Sequence, residues 1–379
     1  MKLSGFGSTG QRRKFLEKQM GIDLKNIKKA SISSEKKITT ENLIGETTIP
    51  LGVAGPIKIK NLKSKIKNYY IPLATTEGAL VASVNRGCKA VNLSGEVNVF
   101  IEKVGITRGP VYETGNLERG FWFINWLKKN EKAIKNAAEK TSNHLQYLKF
   151  AAKVIGPYTF VRFYFNTDQA MGMNMVTIAT EAVNKLIKKK TNIDCLALSG
   201  NYCIDKKPAA LNFITGRGIS AWGEVIIKKT VVESVLKTSA KKIFDVWLAK
   251  NMIGSAISGS FGFNSHFANI VAAFFAATGQ DLAHIVEGSL GITTTKLLLN
   301  DDLYFSVYLP SIMLGVVGGG TRLKIKQEAI RITQVKTKEE LTAVLVGAVL
   351  AGEISLLASL AEGSLANTHK KLGRIKNKI

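Results

Sequence analysis

Residues 251–280 contain no Asp, Glu, Lys or Arg, in a chain whose formal net charge is +25. A run like this must be covered by protein or by lipid, because ordinary surface segments carry charge. A membrane-spanning helix needs about 20 mostly apolar residues. Here Asn251, Asn264, His266, Asn269, Gln280 and several serines and glycines interrupt the run, and the clean apolar part extends only from Ile270 to Ala277. The run is read as a buried helix, and no membrane partner is expected. The chain must build a core to cover it. Its 379 residues, 45% of them hydrophobic, are enough for roughly two or three domains of ordinary size.

Lysines concentrate at positions 25–37, 58–67, 128–140 and 185–190 and in the final ten residues. A field of this sign attracts polyanions, either nucleic acid or phosphorylated small molecules. The chain has no zinc-ligand spacing, no aromatic RNA-binding signature and no basic heptad region, so no nucleic-acid partner and no metal are expected. Cys88, Cys195 and Cys203 form no C-x-x-C, and no secretory apolar segment is present. A soluble, cytoplasmic, reducing setting follows.

A polar, lysine-rich region over 1–37 is expected to hold a helix at Gln11–Met20. Residues 46–60 read as strand, Gly-Pro turn, strand. From 111 the texture changes to aromatic and lysine-rich helical stretches alternating with an apolar strand at Tyr158–Phe165, which marks an inserted α+β domain running to 197.

Several short stretches carry chemistry. Glu77 stands in Ala74-Thr75-Thr76-Glu77-Gly78-Ala79, before an apolar helical run. This is either an acid favoured by a helix N-terminus or a carboxylate pointed from a strand-to-helix loop. Asp205-Lys206-Lys207-Pro208 is either a solvated turn or a lysine kept cationic by carboxylates, able to stabilise an oxyanion. His266 and Asn269 share a helical face, and Asp281 follows Gly279 at the end of the apolar helix, where it can be buried opposite Lys206. Gln169-Ala170-Met171-Gly172-Met173-Asn174 and Gly318-Gly319-Gly320 allow close backbone approach to a ligand. A literal G-x-G-x-x-G at Gly5–Gly10 is rejected as a dinucleotide loop, because only four residues precede it and none can form a buried strand. His369 is near the C-terminus, where a histidine on a closing flap can protonate a leaving thiolate.

In this order, together with Glu41-Asn42-Leu43-Ile44-Gly45 and Thr107-Arg108-Gly109-Pro110, the blocks resemble class I 3-hydroxy-3-methylglutaryl-coenzyme A reductases of the short, anchor-free, archaeal-like type, over residues 40–370. The resemblance implies an α+β fold. It has a small N-terminal helical region (1–37), a large helix-rich substrate and coenzyme A domain (38–110 and 198–379) and an inserted ferredoxin-like cofactor domain (111–197). It implies two-step hydride reduction of the thioester to mevalonate, with release of coenzyme A. The reductant is NADPH, with NADH as the alternative, and active sites lie between the subunits of a homodimer or larger oligomer. Glu77, Lys206, Asp281 and His369 would be catalytic. Arg108, Ser199, Asn201, Asp205, Lys207 and Asn269 would bind the hydroxymethylglutaryl group. Ser83, Asn85, Arg86, Lys89, Lys237 and His266 would hold coenzyme A. Ser142, Asn143, Met171, Gly172, Met173, Asn174 and the three glycines 318–320 would hold the nicotinamide dinucleotide.

Two positions depart from the family pattern. Gln169 stands where an Asp is usual, with Asp168 displaced by one, and Thr141-Ser142-Asn143-His144 lacks the arginine that follows the serine. A guanidinium fork suits a phosphate dianion, so its loss weakens the expectation of NADPH over NADH. Two other readings remain: the same fold oxidising mevalonate with NAD⁺, and a basic polyanion-binding protein without catalysis.

Overall fold

The computed structural model describes residues 8–20, 23, 40–60 and 65–363. Eleven strands alternate with helices in a mixed α+β arrangement. They are β1 (Leu51–Lys60), β2 (Ile66–Ala74), β3 (Val97–Arg108), β4 (Val111–Glu113), β5 (Gln146–Ile155), β6 (Tyr158–Asn166), β7 (Asp194–Ala197), β8 (Gly218–Ile227), β9 (Gly262–Phe263), β10 (Gly291–Leu297) and β11 (Leu303–Ile312). The longer helices are α1 (Thr9–Met20), α2 (Leu80–Ser94), α3 (Leu117–Lys129), α4 (Met173–Thr191), α5 (Phe267–Thr278) and α6 (Lys338–Glu362).

The larger sheet runs β2–β1–β3–β8–β11–β10–β9. One strand serves two sheets. Residues 98–105 of β3 pair with β8, a register shift follows between Lys103 and Gly105, and Ile106–Arg108 then pair with β6. Beyond β3 the smaller sheet has the order β7–β4–β6–β5, all antiparallel. Its chain order is strand, helix, strand, strand, helix, strand, with α3 and a short helix (Glu131–Glu139) in the first crossover and α4 in the second. This is the ferredoxin-like arrangement. Each sheet has its own core. Phe123, Val161, Phe163, Phe165, Val176 and Val183 pack in the smaller one, and Ile57, Ile71, Val84, Phe274, Phe305 and Val346 are among those in the larger.

The Gly-Pro turn expected in 46–60 is not found. Gly55 and Pro56 interrupt the register of one continuous strand between Ala54 and Ile57. A strict pleat would place those two residues, three apart, on opposite faces. The irregularity puts both in the core, at 0% exposure. Gly55 takes φ +103, a region glycine enters freely, and its N–H donates to Asn85 Oδ1 at 2.7 Å.

The charge-free run 251–280 does not form one helix. Residues 251–257 end a preceding helical stretch, residues 258–261 make a loop into β9, and only α5 is a long apolar helix. The longer apolar element is α6, apolar on all sides and therefore a core helix. It is long and apolar enough to cross a membrane, with mean hydropathy 2.1, yet 94% of that window is buried within this fold. It packs on α2, α5 and the large sheet. Glu353 sits in its middle at 0% exposure. That carboxylate accepts the Ser265 and His266 N–H groups at 2.9 and 2.7 Å and the Thr293 hydroxyl at 2.6 Å. It thereby satisfies free donors where the chain enters α5.

Candidate active site

Lys206 projects from the loop between β7 and β8, and Asp281 follows the left-handed Gly279 that ends α5. Asn201, Ile204 and Lys206 all have positive φ (62°, 50° and 60°). For a β-branched residue such as Ile204 that conformation is rare, and left-handed non-glycine residues store about 1–3 kcal/mol each. The loop is held in this shape by its partners: Thr107 Oγ1 donates to Cys203 O at 2.9 Å, and Asn212 Nδ2 donates to Ile204 O at 2.9 Å. The result is a Lys206 Nζ–Asp281 Oδ2 ion pair of 2.7 Å.

Behind this pair lies a buried array of charges. His284 Nε2 is 3.7 Å from Asp281 Oδ2, and His284 Nδ1 is 2.8 Å from Glu287 Oε1. Arg217 bonds Glu287 Oε1 at 2.5 Å and Asp205 Oδ1 at 3.0 Å, while Arg108 lies 3.7 Å from Asp205 Oδ2. Arg217, His284 and Glu287 are all at 0% exposure. The donor atoms of Asp205, His284 and Glu287 lie within 4.8 Å of one another, a spacing compatible with a metal ion. The Arg217 guanidinium already bonds both carboxylates, so the cluster carries its own cation. Burial works against ionisation of Asp281. The Lys206 ammonium, the Ala283 N–H and the His284 ring outweigh it and hold the carboxyl below its ordinary range.

The pair opens into a cleft of about 500 Å3 lined by Ala170–Met175, Lys206, Gly279–Asp281 and residues 315 and 317–322. Three stretches distant in sequence thus meet: Met171, Gly172, Met173 and Asn174; Lys206 with Asp281; and Gly318, Gly319 and Gly320. Ala170 bridges Val317, joining the two loops. A Cβ at Gly318 or Gly319 would meet nothing within 4 Å, which leaves both backbones open to a ligand. Gln169 is turned to another task. Its Oε1 accepts the Lys338 N–H at 2.7 Å, at the first residue of α6, and its carbonyl accepts the Val316 N–H at 3.0 Å. A neutral amide oxygen can make the acceptor contact that an aspartate would make there. Ser142 and Asn143 do not line this cleft. The next residue, His144, has its Nδ1 3.1 Å from Asp168 Oδ2.

A second cavity, of about 730 Å3, is lined by Gly55, Pro56, Asn85, Arg86, Lys89 and Lys237, among others. Four of the six residues expected to hold coenzyme A are therefore together. Ser83 and His266 are elsewhere. Ser83 Oγ bonds Ser355 Oγ of α6 at 2.9 Å, and His266 with Asn269 lines a separate hollow beside Pro208. Arg86 faces both ways, because its guanidinium also bonds Ser355, Ser359 and Glu362. Burial lowers its pKa, with Glu362 opposing. Cys88 lines this cavity too, but burial pushes its thiol up to about 12, so it is no nucleophile at neutral pH.

The remaining expected residues are more scattered. Lys207 is exposed and reaches back to its neighbour, Nζ to Asp205 O at 3.3 Å. Ser199 Oγ lies 3.4 Å from Cys203 Sγ, and Asn201 is exposed. Glu77 is exposed, does not line the Lys206 cleft, and has no side-chain partner among the described residues. His369 lies outside the described residues, as does nearly all of 1–37 apart from α1.

Sequence reasoning missed Arg217, His284 and Glu287. A signal was present: Asp281, His284 and Glu287 recur every third residue, which gathers them on one side of a helical turn. Arg217 gave none, since only the fold brings the start of β8 to this point.

The sequence profile of hydroxymethylglutaryl-coenzyme A reductase matches residues 8–374. The 3-hydroxy-3-methylglutaryl-coenzyme A reductase of Methanothermobacter thermautotrophicus is 46% identical over 369 residues, covering 96% of this chain and 92% of that protein. The enzyme of the same name from Methanocaldococcus jannaschii is 47% identical over 383 residues, covering 97% and 94%. Among solved structures, the 3-hydroxy-3-methylglutaryl-coenzyme A reductase of Streptococcus pneumoniae superposes with TM-score 0.70 at 16% identity, over 95% of this chain and 99% of that one. A class II reductase from the same organism, bound to NADPH in open conformations, gives 0.69 at 16% identity, over 95% and 100%. These two share the fold. With the family profile spanning nearly the whole chain and archaeal relatives this similar, the chain belongs to the hydroxymethylglutaryl-coenzyme A reductase family.

Proposed function

We propose that the protein reduces 3-hydroxy-3-methylglutaryl-coenzyme A to mevalonate in two hydride steps, releasing coenzyme A, as an enzyme of the mevalonate route to isoprenoids. The observation that carries this reading is the 2.7 Å Lys206–Asp281 pair, opening into the cleft that Met171–Asn174 and Gly318–Gly320 line. A dihydronicotinamide bound there supplies the hydride. As hydride reaches the carbonyl carbon, negative charge grows on oxygen, and the Lys206 ammonium is placed to stabilise it. Asp281 fixes the direction of the Lys206 ammonium. Arg108, with Asp205, grips the distal carboxylate and hydroxyl of the acyl group. Asn85, Lys89 and Lys237 hold coenzyme A and its phosphates in the second cavity, giving part of the chain's positive charge a local use. We assign 111–197 as the dinucleotide domain and 38–110 with 198–379 as the substrate domain.

NADPH is the proposed reductant. NADH is the competing reading, favoured by one observation: His144 is paired with Asp168, so the loop expected at the adenosine ribose presents a carboxylate and no guanidinium. We further propose a homodimer or larger assembly, cytoplasmic, in which Glu77 of one copy donates protons at the Lys206 of another. This accounts for an exposed acid with no side-chain partner among the described residues of its own chain. His369 is assigned to protonate the departing thiolate. The test is loss of reduced-nicotinamide absorbance with hydroxymethylglutaryl-coenzyme A, comparing NADPH with NADH and using Lys206→Ala as the blank. No turnover with either reductant would refute the reading.

A further inference from the structure

Each hydride delivered to a carbonyl leaves a charge that a proton must cancel. The reaction described above leaves Arg217, Glu287 and His284 without a part, and of these three His284 lies next to Asp281. His284 is wholly buried, its Nδ1 is engaged by Glu287 at 2.8 Å, and its Nε2 has no hydrogen-bond partner. That free nitrogen points at Asp281 Oδ2, 3.7 Å away, the same oxygen that lies 2.7 Å from Lys206 Nζ. Glu287, Asp281 and Lys206 therefore form a line with the imidazole in its middle.

We propose that His284 is the proton store of this site, feeding Lys206 through Asp281. The inference rests on the reductase reading above. In the step, the alkoxide left by hydride transfer takes a proton from Lys206 Nζ, forming the O–H bond of the alcohol. The Nε2–H bond of the imidazolium breaks, and its proton passes by way of Asp281 Oδ2 to the lysine amine. Lys206 ends as ammonium, Asp281 as carboxylate and His284 as neutral imidazole, still donating Nδ1–H to Glu287. No electrons move in this relay. Once product leaves, solvent recharges His284 through Asp281, which is about one-third exposed.

The charges around the ring suit such a store. Facing it are the carboxylates of Glu287 and Asp281 on its own segment and of Asp205, 3.9 Å away on the Lys206 loop. Against these stand Arg217 from the start of β8, Lys206, and Arg108 from the end of β3. With a neutral imidazole the three carboxylates and three cations balance. The ring's proton is thus the one charge that can come and go without leaving an unpaired carboxylate. A neutral ring turns a lone pair towards Asp281, whereas a protonated ring turns an N–H.

The experiment uses the full-length enzyme and two variants. His284→Gln keeps a neutral donor on the Asp281 side, and His284→Asn keeps one on the Glu287 side; neither can titrate. Each is expected to lower kcat about a hundredfold, the size of a general-acid contribution. KM for both substrates should stay within about twofold, and the limb of the kcat–pH profile on which wild-type activity falls as pH rises should vanish. Retention of that limb in a folded variant overturns the proposal, as does a change confined to KM. If both variants fail to fold, NMR titration of the wild-type imidazole decides. A ring that gains its proton over the range where kcat changes supports the store, and one that does not titrate there refutes it. Absence of wild-type turnover would instead refute the reductase reading, so the two failures are distinguishable.

Discussion

Gly87→Ala adds one methyl group where α2 crosses α6, and the structure sets its consequence. An ideal Cβ at Gly87 would lie 1.9 Å from Ala351 O, 2.4 Å from Ala351 C and 2.7 Å from Ala351 Cα. These are backbone atoms in the middle of a buried helix, so no side chain can rotate away. The helices must part by about 1.5 Å to restore ordinary contact. Overpacking of this kind costs about 1–3 kcal/mol, and the rigid neighbour places it at the upper end. Alanine's better helix propensity returns about 1 kcal/mol, leaving a net loss of about 2 kcal/mol. The same displacement stretches the Ser83–Ser355 and Arg86–Ser355 bonds, now 2.9 and 3.0 Å, beyond hydrogen-bonding range. Asn85, Arg86 and Lys89 travel with α2, so the cavity proposed to hold coenzyme A changes shape while the Met171–Asn174 cleft does not. Urea denaturation should show the loss of stability. Steady-state kinetics should show KM rising for the thioester substrate and much less for the nicotinamide. Unchanged stability together with an unchanged thioester KM would refute both the close approach and the assignment of this cavity.

Further predictions follow from other contacts. Glu353→Ala leaves the Ser265 and His266 N–H groups and the Thr293 hydroxyl without their charged acceptor, and denaturation should report a loss of about 3 kcal/mol or more. Burial opposes ionisation of Glu339, but the Lys103 ammonium at 2.6 Å and the nearby backbone N–H hold its carboxyl below the ordinary range. Its contribution to stability is therefore present above the unfolded carboxylate range and lost as pH falls through the folded value. The stability gap between wild type and Lys103→Met should be largest near neutrality and close in acid; a pH-independent gap would contradict this. Lys237→Ala should raise KM for the thioester and leave that for NADPH unchanged. Glu77→Gln and Lys206→Ala, each inactive, should regain about a quarter of wild-type activity when co-expressed, because half the dimers then carry one intact site of two; no recovery would place both residues in one subunit's site.

The sequence was most informative where a function is packed into a short stretch. The Met-Gly-Met-Asn segment, the Asp-Lys-Lys loop and the triple glycine were each legible, and they meet in one cleft because α5 ends where the Lys206 loop passes. Long-range packing was less visible. Nothing near Gly87 announces that α6, more than 250 residues later, lies against it. Ser83 and Arg86 were read as ligand contacts, and they also tie α2 to that helix. Gly55-Pro56 looked like a turn because local rules favour one there, but the need to keep both Ala54 and Ile57 inside made it an irregularity within β1. Gln169 stood out only as a departure from the family pattern, and its partner, the first N–H of α6, shows what its side chain does.

The most direct test of the account is the stoichiometry of a complete turnover. Purified enzyme is given limiting hydroxymethylglutaryl-coenzyme A and excess NADPH; oxidised nicotinamide, free thiol and mevalonate are then counted together. The account predicts two nicotinamides oxidised for each thiol and each mevalonate, and no product above background from Lys206→Ala. One nicotinamide per thiol, or an active Lys206→Ala, would contradict it.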